Sequence, residues 1–394
     1  MVKYFEYLLV VLSIIVSNSL FYTTYNDDAI LVALLLTCVL AYFISGQRKI
    51  NRYYFIYGLI CSLFMLAHPA ILGNMSILNT YLGYIIRVLS FVLIISLLGY
   101  YNYTKIYVKV MIFVCTANLI LYVDQLFLFG LSDPIASAFS YATTFDKNVF
   151  YENYIFYCKP VLGTWGGNYY ETSSIKNPGL FGEGGVYQYF VTVALIINIF
   201  FHKRTRLFSF TNMIFIISIL STFSTAGYLN LGLILAFIGV EMSINKKIFR
   251  VLTIISPFIV YLIFSTVVYD KLFNEESMAF KISTTRRMLD TEVDLNIISD
   301  YPLMGIGIGN NELWKKYSDE QSGGSSSSNG ITNYLAKFGL IGFIITLYPF
   351  FRFNIRKRRN ILLYLTTLIS MLSQGMLMTP IFLLSLSLIK QKED

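Results

Sequence analysis

Long apolar runs recur along almost the whole chain, separated by short polar turns. Crossing a hydrocarbon layer ~30 Å thick as a helix takes about 20 apolar residues, and backbone groups facing lipid must be satisfied within the helix. The runs near 4–21, 27–45, 53–69, 78–98, 106–129, 185–201, 207–223, 226–242, 250–268, 331–350, 361–377 and 379–390 therefore predict about twelve transmembrane helices. The last run is short. Thr379-Pro380 predicts that it enters as a helix broken from its neighbour.

Two stretches interrupt the pattern, 130–184 and 269–330. Both are long and polar, as functional loops often are. The first carries Tyr141, Tyr151, Tyr154, Tyr157, Tyr169, Tyr170 and Trp165, a composition that predicts packed short helices and not a disordered linker. In the second, Arg286 and Arg287 open an amphipathic helix that Pro302 ends. Its apolar positions are Met288, Leu289, Val293, Leu295, Ile297 and Ile298. Asp290, Glu292 and Asp294 alternate, which predicts that they fan around the helix. Ser322–Gly330 reads as a flexible low-complexity segment. The expected fold is thus an all-α polytopic integral membrane protein with two long extracytoplasmic loops containing short helices. Its segments are 1–129 (helices 1 to 5), 130–184 (first loop), 185–268 (helices 6 to 9), 269–330 (second loop) and 331–394 (C-terminal helices). No internal repeat is visible, which weakens a transporter reading.

Charge sets the orientation. With the N-terminus inside, Arg48, Lys49, Arg52, Lys203, Arg204, Arg206, Lys246, Lys247 and the basic run Arg356–Arg359 all fall on inside segments. The short outside turns near 22–26, 70–77, 224–225 and 378 carry no Lys or Arg. This positive-inside bias places both termini in the cytoplasm. Ser17-Asn18-Ser19 resembles a signal cleavage site, but Lys3 is offset by Glu6, so the first helix is expected to stay uncleaved. Composition agrees. The chain is 56% hydrophobic and 13% charged, against about 25% charged in soluble domains. A soluble enzyme, a disordered chain and a disulfide scaffold are excluded. The net charge of +8 follows from topology and calls for no nucleic acid.

Candidate chemistry is narrow. Four cysteines without a C-x-x-C and only two histidines leave no zinc pattern. Gly305-Ile306-Gly307-Ile308-Gly309-Asn310 lacks the last glycine and the βαβ setting of a dinucleotide fingerprint. No metal or cofactor is expected. Arg87 lies in the middle of an apolar run. A charge there costs roughly 2.5–3.5 kcal/mol on insertion scales and normally faces a cavity or a partner. Arg286 and Arg287 beside the membrane suit a phosphate or pyrophosphate, because a guanidinium donates two parallel hydrogen bonds. Glu183 starts a helix on the outer side, either as a charge–dipole cap or as an acid–base carboxylate. Lys176 precedes it and could add positive charge. Asp27 and Asp28 read most simply as a helix start.

Four fragments in order carry a resemblance: KNPGLFGEGG leading into an apolar run, STFST at 221–225, RR followed by YPLMGIGIGN, and SNGITNYLAKFGLIGF. Over about residues 75–350 the chain resembles the O-antigen polymerase and O-antigen ligase superfamily of bacterial membrane glycosyltransferases. The resemblance implies glycosyl transfer from an undecaprenyl-pyrophosphate-linked oligosaccharide on the outer side of the cytoplasmic membrane, without metal or nucleotide sugar. It implies that Arg87 and Arg286 or Arg287 hold pyrophosphate, with Lys176 where the family often has arginine. Asn329 belongs to the last motif, and Trp165 is a loop aromatic suited to a sugar face. Ligases carry a histidine where this chain has Ser328, which favours a polymerase of O-antigen or capsule. The general base is then open, with Glu183 as the candidate. Expected partners are the lipid bilayer, lipid-linked repeat units and, by family analogy, a chain-length regulator and a flippase. A flippase or exporter of lipid-linked oligosaccharide and an O-antigen ligase are the alternatives.

Overall fold

The computed structural model describes residues 2–17, 19, 27–46, 50–127, 142–146, 149–153, 157–165, 168–171, 176–202, 209–243, 278–318, 327, 329–351 and 358–388. These residues are mainly helical: α1 Val2–Val16, α2 Asp27–Ser45, α3 Arg52–Ile71, α4 Leu78–Phe127, α5 Gly184–Ile196, α6 Phe210–Ser221, α7 Thr225–Ser243, α8 Met278–Asp300, α9 Asn311–Tyr317, α10 Gly330–Phe351, α11 Arg358–Ser373 and α12 Pro380–Leu388. Among the described residues, five stretches are long and apolar enough to cross a membrane: Asp28–Ser45, Arg52–Ile71, Met75–Phe127, Gly184–Phe201 and Gly330–Leu347. Three shorter apolar helices, Phe210–Ser221, Thr225–Gly239 and Asn360–Leu372, accompany them. The predicted span at 250–268 lies outside the described residues.

The helices carry the marks of a lipid solvent. Leu36, Leu40 and Phe43 on α2 and Leu59, Leu63 and Leu66 on α3 are exposed, an apolar surface that water would not tolerate at this scale. Several hydroxyls inside the helices are satisfied by their own backbone. Ser17, Ser96, Thr116, Thr366 and Ser370 each donate to the carbonyl four residues earlier.

The predicted helices 78–98 and 106–129 follow one another directly as the two parts of α4, separated by a kink at Gly99, whose φ of 65° and ψ of 164° are not helical. α12 begins at Pro380, where the missing N–H is harmless. Its nine residues reach about 13 Å, too short to span alone.

The first long loop corrects the expectation of short helices. Apart from a 3₁₀ turn at Gly179–Phe181, its described part is an antiparallel sheet in the order β1 Ala142–Asp146, β2 Val149–Asn153, β3 Cys158–Trp165, β4 Asn168–Glu171. Aromatic and β-branched residues favour a pleated surface. Trp165 pairs with Asn168, and the two intervening residues are Gly-Gly, a hairpin signal. The second loop is helical as expected. However, α8 starts at Met278, so Arg286 and Arg287 sit inside it and do not open it.

The chain folds as two compact units. The first comprises Met1–Ser17, Asp28–Tyr103 and Glu275–Asp394; the second comprises Asn18–Asp27 and Thr104–Asn274. In the first, α10 packs on α3, α8 and α11. In the second, α5 is the central helix, with every residue from Val186 to Ile196 buried, against α6 and α7. Buried amides tie it in: Asn198 Nδ2 donates to Asn212 Oδ1 at 2.7 Å, and Asn230 Nδ2 to Gln188 Oε1 at 3.2 Å.

Candidate functional site

In the first unit α10 is broken at Gly339, which has φ 63°. The break frees backbone groups on both sides, and the segment after α8 takes them up. Leu340 and Ile341 N–H donate to the carbonyls of Pro302 and Leu303 at 2.8 and 3.0 Å. In return, Ile306 and Gly307 N–H donate to the carbonyls of Ala336 and Lys337, both at 2.9 Å. A break inside an apolar span is tolerated only where such partners exist. Val293, Ile297, Ile306, Trp314 and Ala336 form the core that holds α8, the glycine-rich turn, α9 and α10 together.

The same turn is anchored from the other side. His68 Nε2 faces the carbonyl of Met304 at 2.7 Å, so this nitrogen carries the proton. Nδ1 must then accept from the Tyr81 hydroxyl at 2.8 Å. The Tyr81 oxygen in turn accepts from Ile308 N–H at 3.2 Å. Removing that hydroxyl in Tyr81→Phe leaves a ring nitrogen and a backbone N–H unpaired. Each buried orphan costs about 1–3 kcal/mol. A lower melting temperature in detergent is expected; an unchanged one would show that the turn does not depend on this link.

Asp290 and Asp294 lie one turn apart on α8 and are both buried, whereas Glu292 is exposed. The expectation that the three acids fan around the helix holds only for Glu292, because a spacing of four puts the other two on one face. Asp294 is 0% exposed. Its Oδ2 accepts from the Thr332 hydroxyl of α10. Its Oδ1 has no hydrogen-bond partner among the described residues. Burial pushes the carboxyl up to about 7; the hydrogen bond from Thr332, the nearby Ser327 hydroxyl and the charge of Lys337 oppose this, and Asp290 adds to it.

Arg87 is half-buried on α4, with its guanidinium 5.3 Å from the centre of the Tyr84 ring, a cation–π distance. Tyr84 meets Phe338 of α10 edge-on at 5.9 Å, and Phe338 packs on Tyr334 at 4.6 Å. Arg287 is exposed on α8, on an open face shared with Met288, Thr291, Glu292, Leu295 and Asn296. Arg286 is on α8, with its side chain outside the described residues. Asn329 has a structural task. Its Oδ1 accepts from Ile331 and Thr332 N–H at 3.2 and 3.4 Å, capping α10.

Trp165, Lys176 and Glu183 belong to the second unit. Trp165 ends β3, with its side chain outside the described residues. Between Lys176 and Glu183 the chain makes a buried turn. Asn177 Nδ2 donates to Asn118 Oδ1 at 2.7 Å and Ser221 Oγ at 2.9 Å, while its Oδ1 accepts from Gly179 N–H at 3.0 Å. Only glycine suits position 179. Its φ is 62°, and an added Cβ would lie 2.4 Å from the Tyr187 ring. Lys176 and Glu183 are both exposed at the two ends of this turn. Glu183 is the N-cap residue of α5, yet its side chain makes no capping hydrogen bond. Its place at the start of α5 leaves both sequence readings open, the charge–dipole one and the acid–base one.

Sequence reasoning thus missed Asp294 and the His68–Tyr81 link. The spacing of Asp290 and Asp294 beside Val293 and Ile297 was the available signal for the first. Nothing local flagged the second, since the turn that His68 and Tyr81 hold, at Met304 and Ile308, lies far along the chain.

Residues 210–347 match the family model described as O-antigen ligase. The matched stretch runs from α6 into α10 and contains Arg286, Arg287, Asp294 and Asn329; Arg87, Trp165, Lys176 and Glu183 precede it. The match supports the O-antigen ligase/polymerase superfamily and does not separate its two sides. No curated protein and no solved structure matches the chain.

Proposed function

We propose that this chain is a membrane glycosyltransferase that polymerises lipid-linked repeat units of O-antigen or capsule. The carrying observation is the O-antigen ligase match over 210–347 on a chain whose described residues include five helical stretches long and apolar enough to cross a membrane. Ser328 in place of the ligase histidine supports the polymerase side. The growing glycan on undecaprenyl pyrophosphate is the donor, and a second lipid-linked repeat unit is the acceptor. An acceptor hydroxyl displaces the pyrophosphate in one step with inversion, on the outer face of the bacterial cytoplasmic membrane. Both termini are cytoplasmic. Arg87, Arg286 or Arg287, and Lys176 offset the charge that develops on the leaving pyrophosphate. Trp165 stacks on sugar C–H faces. Glu183 is the carboxylate that the sequence offers for the acceptor's proton. A chain-length regulator and a flippase would act beside it.

Purified protein in nanodiscs with a synthetic undecaprenyl-pyrophosphate repeat unit from the host's own polysaccharide should give a product ladder without nucleotide sugar and with EDTA present. Transfer of one glycan to a different acceptor, with no ladder, supports the ligase reading instead. Movement of the lipid across the bilayer without any transfer makes the chain a flippase.

A further inference from the structure

We infer that Thr332 and Asp294, in place of Glu183, form a proton relay serving the acceptor hydroxyl; this rests on the transferase reading above. Thr332 is half-buried at the start of α10 and already donates its hydroxyl proton to Asp294 Oδ2. Its oxygen keeps lone pairs with which to accept from a sugar hydroxyl. As that hydroxyl attacks the anomeric carbon, the new C–O bond forms and the bond to pyrophosphate breaks, its electron pair leaving with the phosphate. The sugar's proton moves to Thr332 Oγ1, and the proton already on Oγ1 moves to Asp294 Oδ2. Thr332 ends unchanged. Asp294 ends as the neutral acid and later releases its proton.

Three observations point the same way. Asp294 is fully buried, and its Oδ1 lacks a partner among the described residues. An under-solvated carboxylate gains by taking a proton. The charged groups facing it are Lys337 from α10 and Asp290 from α8, which act in opposite directions. Its affinity for a proton, near pH 7, suits a base at neutral pH. Asn329, capping the same helix start, fixes Thr332 through its backbone N–H. Asp294 is thus the positioning and proton-storing member, and Thr332 is the group that would touch substrate.

The test is the rate of ladder formation against pH in nanodiscs, with melting temperature and donor binding measured on the same samples. The wild type should lose activity as pH falls through about 7, as the base becomes protonated. Asp294→Asn should lower kcat about 10²-fold or more and abolish that acidic limb, with donor binding kept. Thr332→Val should match it, Thr332→Ser should stay within a few-fold of wild type, and the double variant should be no worse than either single one. A limb that survives Asp294→Asn and disappears in Glu183→Gln overturns the relay, as does full activity of Thr332→Val. A wild type that makes no ladder at any pH from the authentic repeat unit overturns the transferase reading itself, and the relay with it.

Discussion

Gly339→Ala should abolish folded, monodisperse protein. The residue has φ 63°, and an added Cβ would lie 2.3 Å from the Leu303 carbonyl oxygen and 2.5 Å from Met304 N. Both obstacles are backbone, so no side chain can swing aside. Relief requires moving the Pro302–Leu303 strand away, which breaks its hydrogen bonds with Leu340 and Ile341. Gly305 makes the reciprocal approach, with a Cβ position 2.5 Å from the Ala336 carbonyl oxygen and φ 64°. The expected loss exceeds about 4 kcal/mol, the range of a named core failure. Two controls separate the causes. Gly46 has φ 63° but open space around it, so Gly46→Ala should cost about 1–2 kcal/mol from backbone conformation alone. Gly375 has neither constraint, so Gly375→Ala should stay within about 0.5 kcal/mol. Melting temperatures in detergent rank the three. Equal losses at 46 and 339 would show that the close approach is unimportant.

What the sequence revealed follows from how local each signal is. Apolar runs locate α2, α3 and α10 within a residue or two, because lipid burial is written into every residue of the run. Breaks inside such runs are not written there. Gly339 interrupts α10 through partners at Pro302 and Leu303, far away in the chain. The sheet at 142–171 is legible in its aromatic strands and the Gly-Gly pair, but aromatic density by itself fits helical packing equally well. Among the candidate site residues, Arg87 and Arg287 stand out because charge beside or inside an apolar run is conspicuous. Asp294 was not, because three alternating acids look like one solvated rim. The resemblance was read over about 75–350, whereas the family match covers 210–347. The roles of Lys176 and Glu183 therefore rest on the turn around Asn177 and the resemblance, without support from the match.

Arg287→Ala should remove most transferase activity and leave the fold intact. Arg287 is exposed on α8, two turns before the buried Asp294 and nearly in line with it along the helix. Surface truncations of this kind change stability by about 0.5 kcal/mol or less, so the melting temperature should hold. Activity is another matter. Losing one donor aimed at a developing anion typically costs about 10²–10³-fold in rate. Arg287→Lys should fall between, since lysine keeps the charge and loses the planar fork. Glu292→Ala, on the same open face, is the comparison: removing a negative charge there should not weaken pyrophosphate binding. A loss confined to KM would assign Arg287 to ground-state docking of the donor. Equal losses in kcat and kcat/KM would assign it to charge that appears only as the pyrophosphate leaves. An Arg287→Ala protein that makes a normal ladder would remove the anion site from this face of α8 and shift attention to Arg87, whose guanidinium lies over Tyr84.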